Sequence, residues 1–326
     1  MSVPDPVVGD LTEGEILTRI LGRLAPSRAL LGPGDDAAVL AAPGGRIVAS
    51  VDTLVHGPDF RLAWSSAEDL GWKAAAVNLA DIAAMGARPT ALLVALAMPD
   101  HTPASFVEGI ADGLRAGCDQ LAPGAAVEGG DLTVSDTLTI AVTALGVLDG
   151  SAPVTRRGAR PGDVVAVCGE LGKAARGLAI LFDRFRVDGR PVAITSLTEA
   201  DAALVDAQLR PRPPIAAGVA AASHGATAMM DVSDGLALDA GRLARASDVT
   251  LELHTDAIGP DPGVALAGGE DHALLATFPA ALGPAPGFRV IGRVGVAGDH
   301  PLLVDGTPYD GRGGWDPYRD WDAVAG

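Results

Sequence analysis

Four segments carry acids whose types and spacing could do chemistry: Gly34-Asp35-Asp36, Ser50-Val51-Asp52, Glu128-Gly129-Gly130-Asp131 and Asp231-Val232-Ser233-Asp234-Gly235. Asp81 joins them from a helix. Any one segment passes as an Asp-Gly turn or a helix cap. Together they read as carboxylates at strand ends around one cleft. Such a cluster repels itself unless it holds cations. Hard divalent ions with oxygen ligands suit it, and Mg²⁺ carried with a phosphate substrate suits it best. A period of two places Ser50 and Asp52 on one strand face and Val51 on the other. Asn78 and Asp81 are i,i+3 neighbours on one helix face. Asp81 lies near that helix's C-terminus, where the macrodipole opposes a negative charge and a nearby cation or solvent would relieve the conflict.

Other motifs fail. Gly169-Glu170-Leu171-Gly172-Lys173 lacks P-loop spacing and is followed by Ala174 instead of Ser or Thr, so it reads as a strand-to-helix turn. There is no G-x-G-x-x-G after the early strands, no H-E-x-x-H and no G-x-S-x-G. The six histidines form no ligand-spaced cluster and read mostly as structural or surface residues. Cys118 and Cys168 are too far apart for a disulfide framework or a cysteine zinc site, and fit a reducing cytoplasm.

The elements that must position these acids fit a length of 326 residues, enough for two domains. A boundary is expected between Gly150-Ser151-Ala152-Pro153 and Arg160-Pro161-Gly162, giving an α/β half (1–150) and an α+β half (151–326). In the first half we expect a helix over 10–24 and a strand over 46–53. A second helix opens on a capping box, Ser65-Ser66-Ala67-Glu68, and stops at Gly86. A strand over 90–98 leads to a helix capped by Thr102 with Pro103 first, then strands over 125–128 and 138–148. In the second half strands are expected over 163–168, 226–231, 251–254, 273–278 and 288–292, with helices from Lys173, after Pro211–Pro214, and over 236–247. The charge balance of 24 Lys+Arg against 41 Asp+Glu, a net −17, leaves no basic face for nucleic acid. The apolar run Pro89–Pro99 is too short to cross a membrane, and no secretory signal is expected at the start.

In order along the chain stand Gly34-Asp35-Asp36-Ala37-Ala38, Ser50-x-Asp52-Thr53-Leu54-Val55, Lys73 through Gly86, Gly129-Gly130-Asp131, Arg156-x-Gly158-Ala159-x-Pro161-Gly162-Asp163, Asp231-x-Ser233-Asp234-Gly235-Leu236 and Gly268-Gly269-Glu270-Asp271. This series resembles the thiamine-monophosphate kinases, within the superfamily of aminoimidazole ribonucleotide synthetase, selenophosphate synthetase and the hydrogenase maturation dehydratase. A selenophosphate synthetase would need a reactive N-terminal Cys or selenocysteine with a Lys, and the first 30 residues contain neither a Cys nor a Lys. The resemblance implies that ATP and thiamine monophosphate give ADP and thiamine diphosphate. It implies an aminoimidazole ribonucleotide synthetase-like two-domain fold in a homodimer, with N-terminal strands forming a shared barrel. It also implies several Mg²⁺ ions, with K⁺ as a candidate monovalent ion. By motif position, Asp36, Ser50, the backbone of Val51, Asp52, Asp81, Asp131, Asp231 and Asp234 correspond to metal ligands. Gly130, Asp131, Arg156 and Ser233 correspond to the ATP side, and Asp59 and Glu270 to the thiamine side. Trp315 is the counterpart of a C-terminal aromatic, either packed on the thiamine rings or anchoring the core.

Mg²⁺ between carboxylates and phosphates reconciles a strongly acidic protein with an anionic substrate. The attacking phosphate oxygen is already ionised, so no general base is expected and catalysis reduces to positioning and charge stabilisation. Three departures from the family pattern stand out: Val51 in place of Thr, Asp59 where His is common, and a C-terminal Trp315-Asp316-Pro317-Tyr318 followed by eight residues. Two alternatives stay open: a superfamily enzyme with another phosphate acceptor, and a non-catalytic Mg²⁺–nucleotide binder.

Overall fold

The computed structural model describes residues 5–31, 40–311 and 314, so Asp35, Asp36 and Trp315 lie outside the described residues. Strand β1 (Ile47–Val55) pairs antiparallel with β4 (Thr139–Val147), which pairs with β2 (Arg88–Met98). Strand β3 (Ala126–Val134) runs parallel to β2 at the far edge, giving the order β1-β4-β2-β3. Alternation sends Ile140, Val142 and Ala144 of β4 into a core closed by helices α2 (Ala67–Ala84) and α3 (Ala104–Leu121). Helix α1 (Glu13–Leu21) is tied to α3 by the Arg19–Glu108 pair. The opposite sheet face is open in the single chain, with Ile47 and Val51 exposed at 55 and 62%.

Helix α2 is capped one residue later than the sequence suggested. Ser66 and Asp69 form the reciprocal box, since the partner must stand three residues beyond the cap. Its middle is buried all round, from Leu70 to Ala80, as expected of a helix wedged between two sheets. Thr102 does not cap α3; Pro103 holds the N-cap position without a side-chain bond. β3 also does not stop at Glu128 but continues through Gly129, Gly130 and Asp131. A Cβ on Gly130 would lie 1.9 Å from the Val94 carbonyl oxygen, so this glycine lets two parallel strands meet.

The second sheet has seven strands in the order β13-β12-β9-β11-β5-β10-β8. They are β5 (Asp163–Cys168), β8 (Ala228–Val232), β9 (Val249–Leu253), β10 (Ala273–Pro279), β11 (Arg289–Val296), β12 (Leu302–Val304) and β13 (Thr307–Pro308). A small hairpin, β6 (Arg186–Val187) with β7 (Arg190–Pro191), stands apart. The helices are α4 (Lys173–Arg184), α5 (Glu199–Leu209), α6 (Ile215–His224), α7 (Leu236–Ser247) and the short α8 (Thr255–Ile258) and α9 (Pro262–Ala267). Helix α5 was not expected, because its apolar residues follow no single face. Helix α2 joins the two halves: the Trp72 indole N–H donates to the Pro211 carbonyl at 2.8 Å, and Arg212 stacks on that indole. Among the described residues no helix is long and apolar enough to cross a membrane.

Candidate active site

Strand β1 lies along α2, and the contact is polar at one end. Ser50 Oγ donates to Asp81 Oδ2 at 2.5 Å, and the Asp52 N–H donates to Asn78 Oδ1 at 3.1 Å. Asn78 Nδ2 in turn donates to the Ala74 carbonyl, which locks the amide. Val51 points away from this contact and is exposed, so no packed core surrounds its side chain in the single chain. Asp52 opens into the cleft, yet partial burial pushes its carboxyl up to about 6, aided by the charges of Asp81, Asp231 and Asp234 and opposed by His272. Burial also raises Asp81, with Asp231 adding and the Ser50 bond, His272 and Arg156 opposing. Four acids from three elements and one turn thus share a single field.

Asp231 and Asp234 come from the end of β8 and the turn before α7. Asp231 is buried and hydrogen-bonded to His272 Nδ1 at 3.2 Å. The backbone N–H groups of Ser233 and Asp234 both donate to Asp239 Oδ2 at 3.1 Å. Arg242 bridges Asp234 at 2.5 Å and Asp239 at 2.7 Å. Sequence reasoning missed Asp239, a fully buried acid whose carboxyl burial pushes up to about 6 and which shapes the turn from inside α7. The available signal was a second Asp five residues after Asp234, in the first helical turn.

Beside the acids opens a cavity of about 550 Å³, walled by Trp64, Leu178 and Phe182 and bearing Asp59, Lys73 and Glu270. The Trp64 and Phe182 rings meet edge to face at 5.1 Å. Asp59 Oδ2 accepts the Val55 N–H at 2.8 Å, and burial, with Glu270, lifts its carboxyl above the usual range. Lys73, buried on α2, forms an ion pair with Glu270. Burial acts to raise Glu270, but Lys73 and His272 outweigh it and hold the carboxyl below its ordinary value. Glu270 adopts φ +73°, and its N–H donates to the Ser233 carbonyl at 2.8 Å. A Cβ on Gly269 would lie 2.1 Å from that same carbonyl oxygen. The loop carrying Glu270 is therefore pressed directly on the turn carrying Asp234.

The single chain does not bring Asp131 and Gly130 to this cluster. The register Thr53–Ala141–Ala95–Asp131 puts Asp131 three strands from β1, about 14 Å, on the open face rather than the face of Ser50 and Asp52. Neighbouring Glu128 is buried and accepts from the Arg28 N–H at 2.7 Å and from the Ser27 hydroxyl, a latch for the segment that leads to Asp36. Arg156 is within electrostatic reach of Asp81. Gly314 lines the cavity, while Trp315 and Asp36 lie outside the described residues. Among the described residues no three His, Cys, Asp or Glu side chains enclose an ion. An all-oxygen, self-repelling donor set open to a cleft nonetheless fits Mg²⁺, which keeps waters and takes phosphate oxygens as ligands.

Residues 34–148 match the family model described as "AIR synthase related protein, N-terminal domain", and residues 160–282 match its C-terminal domain. The thiamine-monophosphate kinase of Mycobacterium tuberculosis (strain H37Rv) is 42% identical over 339 residues, covering 99% of this chain and 96% of that protein. That of Corynebacterium glutamicum is 42% identical over 317 residues, covering 90% and 91%. The crystal structure of thiamine-monophosphate kinase from Stenotrophomonas maltophilia K279a superposes with a TM-score of 0.75 at 34% identity, covering 91% of this chain and 96% of that one. The structure described as "AaThiL complexed with AMPPCP and TMP" gives 0.74 at 29% identity, covering 96% and 98%. With both family models matched in order and near-full-length relatives at this identity, the chain belongs to the AIR synthase related proteins and, within them, to the thiamine-monophosphate kinase family.

Proposed function

We propose that this chain phosphorylates thiamine monophosphate with ATP to give thiamine diphosphate, by direct in-line transfer. The observation that carries the proposal is the junction of two sites: an acid cluster suited to metal-bound phosphates and an aromatic-walled cavity with its own carboxylates, held together by the Glu270–Ser233 backbone bond. Asp36, Ser50, the Val51 carbonyl, Asp52, Asp81, Asp131, Asp231 and Asp234 would hold Mg²⁺. When bound, such ions would neutralise phosphate charge. Gly130, Asp131, Arg156 and Ser233 take the nucleotide. Glu270, Asp59 and Trp315 take the thiamine moiety, and Trp64 and Phe182 exclude water from its rings. The acceptor oxygen is ionised at neutral pH, so no side chain removes a proton, and catalysis rests on alignment and charge stabilisation.

We further propose two domains, 1–150 and 151–326, in a cytoplasmic homodimer. The exposed face bearing Ile47 and Val51 and the edges of β1 and β3, unpaired among the described residues, support a barrel closed by a second copy. Two buried free cysteines agree with a reducing compartment. The test is incubation of purified protein with ATP, Mg²⁺ and thiamine monophosphate, followed by chromatography of the products. Thiamine diphosphate formed in step with ADP is the expected result. Consumption of a different phosphate acceptor, with no thiamine diphosphate, would overturn the substrate assignment.

A further inference from the structure

We propose that His272 is a positioning residue for Asp231: its imidazole fixes the orientation of the carboxylate and so sets how tightly the site binds its divalent cation. The inference rests on the assignment of Asp231 as a metal ligand under the proposed function. His272 and Asp231 are 5% and 4% exposed, with Nδ1 3.2 Å from Oδ2. The pairing Ala273↔Val232 and Leu274↔Asp231 brings His272, the residue just before β10, alongside the Asp231 end of β8. Among the described residues His272 is the one hydrogen-bond partner of the Asp231 carboxylate.

The ring itself is held. His272 adopts φ +52°, in the left-handed region that histidine enters more readily than branched residues. Just before it, Glu270 donates its N–H to Ser233, and Asp271 accepts the Ala174 N–H at 2.9 Å. Nε2 is buried without a partner among the described residues. A carboxylate oxygen can only accept, so the hydrogen bond to Asp231 requires the proton on Nδ1. One Asp231 oxygen is then pinned by an N–H and the other is left to face a cation, the outer arrangement that metal-binding carboxylates use. None of the sequence motifs singled out this residue.

The experiment measures Mn²⁺ binding by electron paramagnetic resonance, with a non-hydrolysable ATP analogue, for the full-length wild-type protein, His272→Leu, His272→Asn and Asp231→Asn. His272→Leu should weaken Mn²⁺ about tenfold or more, and His272→Asn, whose amide can donate from near the Nδ1 position, only about two- to threefold. The KM for thiamine monophosphate should stay close to the wild-type value in both His272 variants. If Asp231→Asn weakens Mn²⁺ and His272→Leu does not, the positioning role is overturned while the metal assignment stands. If Asp231→Asn also leaves Mn²⁺ binding unchanged, the metal assignment itself fails. ¹⁵N NMR of histidine-labelled wild-type protein needs no variant: a His272 Nδ1 without a proton in the metal-free protein overturns the proposal, and a protonated Nδ1 broadened by Mn²⁺ supports it.

Discussion

Ser50 Oγ and Asp81 Oδ2 meet at 2.5 Å, so the edge strand and the central helix of the first half are joined at the acid cluster. Ser50→Ala removes a hydrogen bond to a carboxylate that is already raised by burial and by Asp231. We expect a loss of about 1–2 kcal/mol in urea unfolding and a higher half-saturating Mg²⁺ concentration. Unchanged Mg²⁺ dependence would show that this end of β1 lies outside the site.

Asp131 and Asp231 should separate by stability, not by activity. Each Asp→Asn change is expected to lower turnover at least about 100-fold at fixed Mg²⁺, with partial rescue at high Mg²⁺. Only Asp231→Asn should shift the melting temperature of the metal-free protein, because Asp231 is buried against His272 while Asp131 is exposed on an open face. Wild-type kinetics for either variant at limiting Mg²⁺ would remove that residue from the ligand set.

The pH dependence follows from Asp52. Its folded carboxyl, at about 6, lies above its ordinary value of 3.8. A raised acid favours the folded state while protonated. Its contribution is fully present below the unfolded value and is lost as pH rises through about 6. Asp52→Asn should therefore raise the melting temperature of the metal-free protein at pH 7.5 and change it little at pH 4. Mg²⁺ should stabilise the wild type at pH 7.5 and much less at pH 5. An equal Mg²⁺ effect at both values would contradict an acid cluster as the binding site.

Lys73→Met removes the cation paired with Glu270 and leaves Asp59 facing Glu270 without it. The expected result is an increase of about tenfold or more in the KM for the thiamine substrate, with little change in the KM for ATP. A uniform fall in kcat with both KM values unchanged would place Lys73 in the scaffold alone.

Much of the acid site was legible because Asp beside Gly marks turns and strand ends, and period two aligned Ser50 with Asp52. The same cue misled at Asp131, where the glycines serve strand contact inside β3. Lys73 stood in a family motif without a role of its own, Asp239 offered only a first-turn acid, and His272 gave no local signal. Lys73 looks like any helical lysine until Glu270 arrives from the far end of the chain, and Asp239 looks like an ordinary first-turn acid. The histidines were judged by ligand spacing, which cannot register a partner such as Asp231 on a neighbouring strand. The capping box of α2 was found but misplaced by a residue where two serines adjoin, and the Thr12–Glu15 box of α1 was missed.

Helices α2 and α3 touch backbone to backbone: a Cβ on Gly71 would lie 2.0 Å from the Ile110 carbonyl oxygen, and one on Gly113 2.1 Å from that of Glu68. Gly71→Ala should cost about 3 kcal/mol or more in denaturant unfolding, read as a lower midpoint at unchanged slope.

That clamp gives α2 a further property. Lys73 faces the cavity and Asp81 the acid cluster, eight residues apart on one rod, about 12 Å at helical rise. A rod gripped so closely neither stretches nor slides, so the spacing between ring pocket and phosphate site acts as a gauge. Under the proposed function it selects acceptors by length before any hydrogen bond reads their rings.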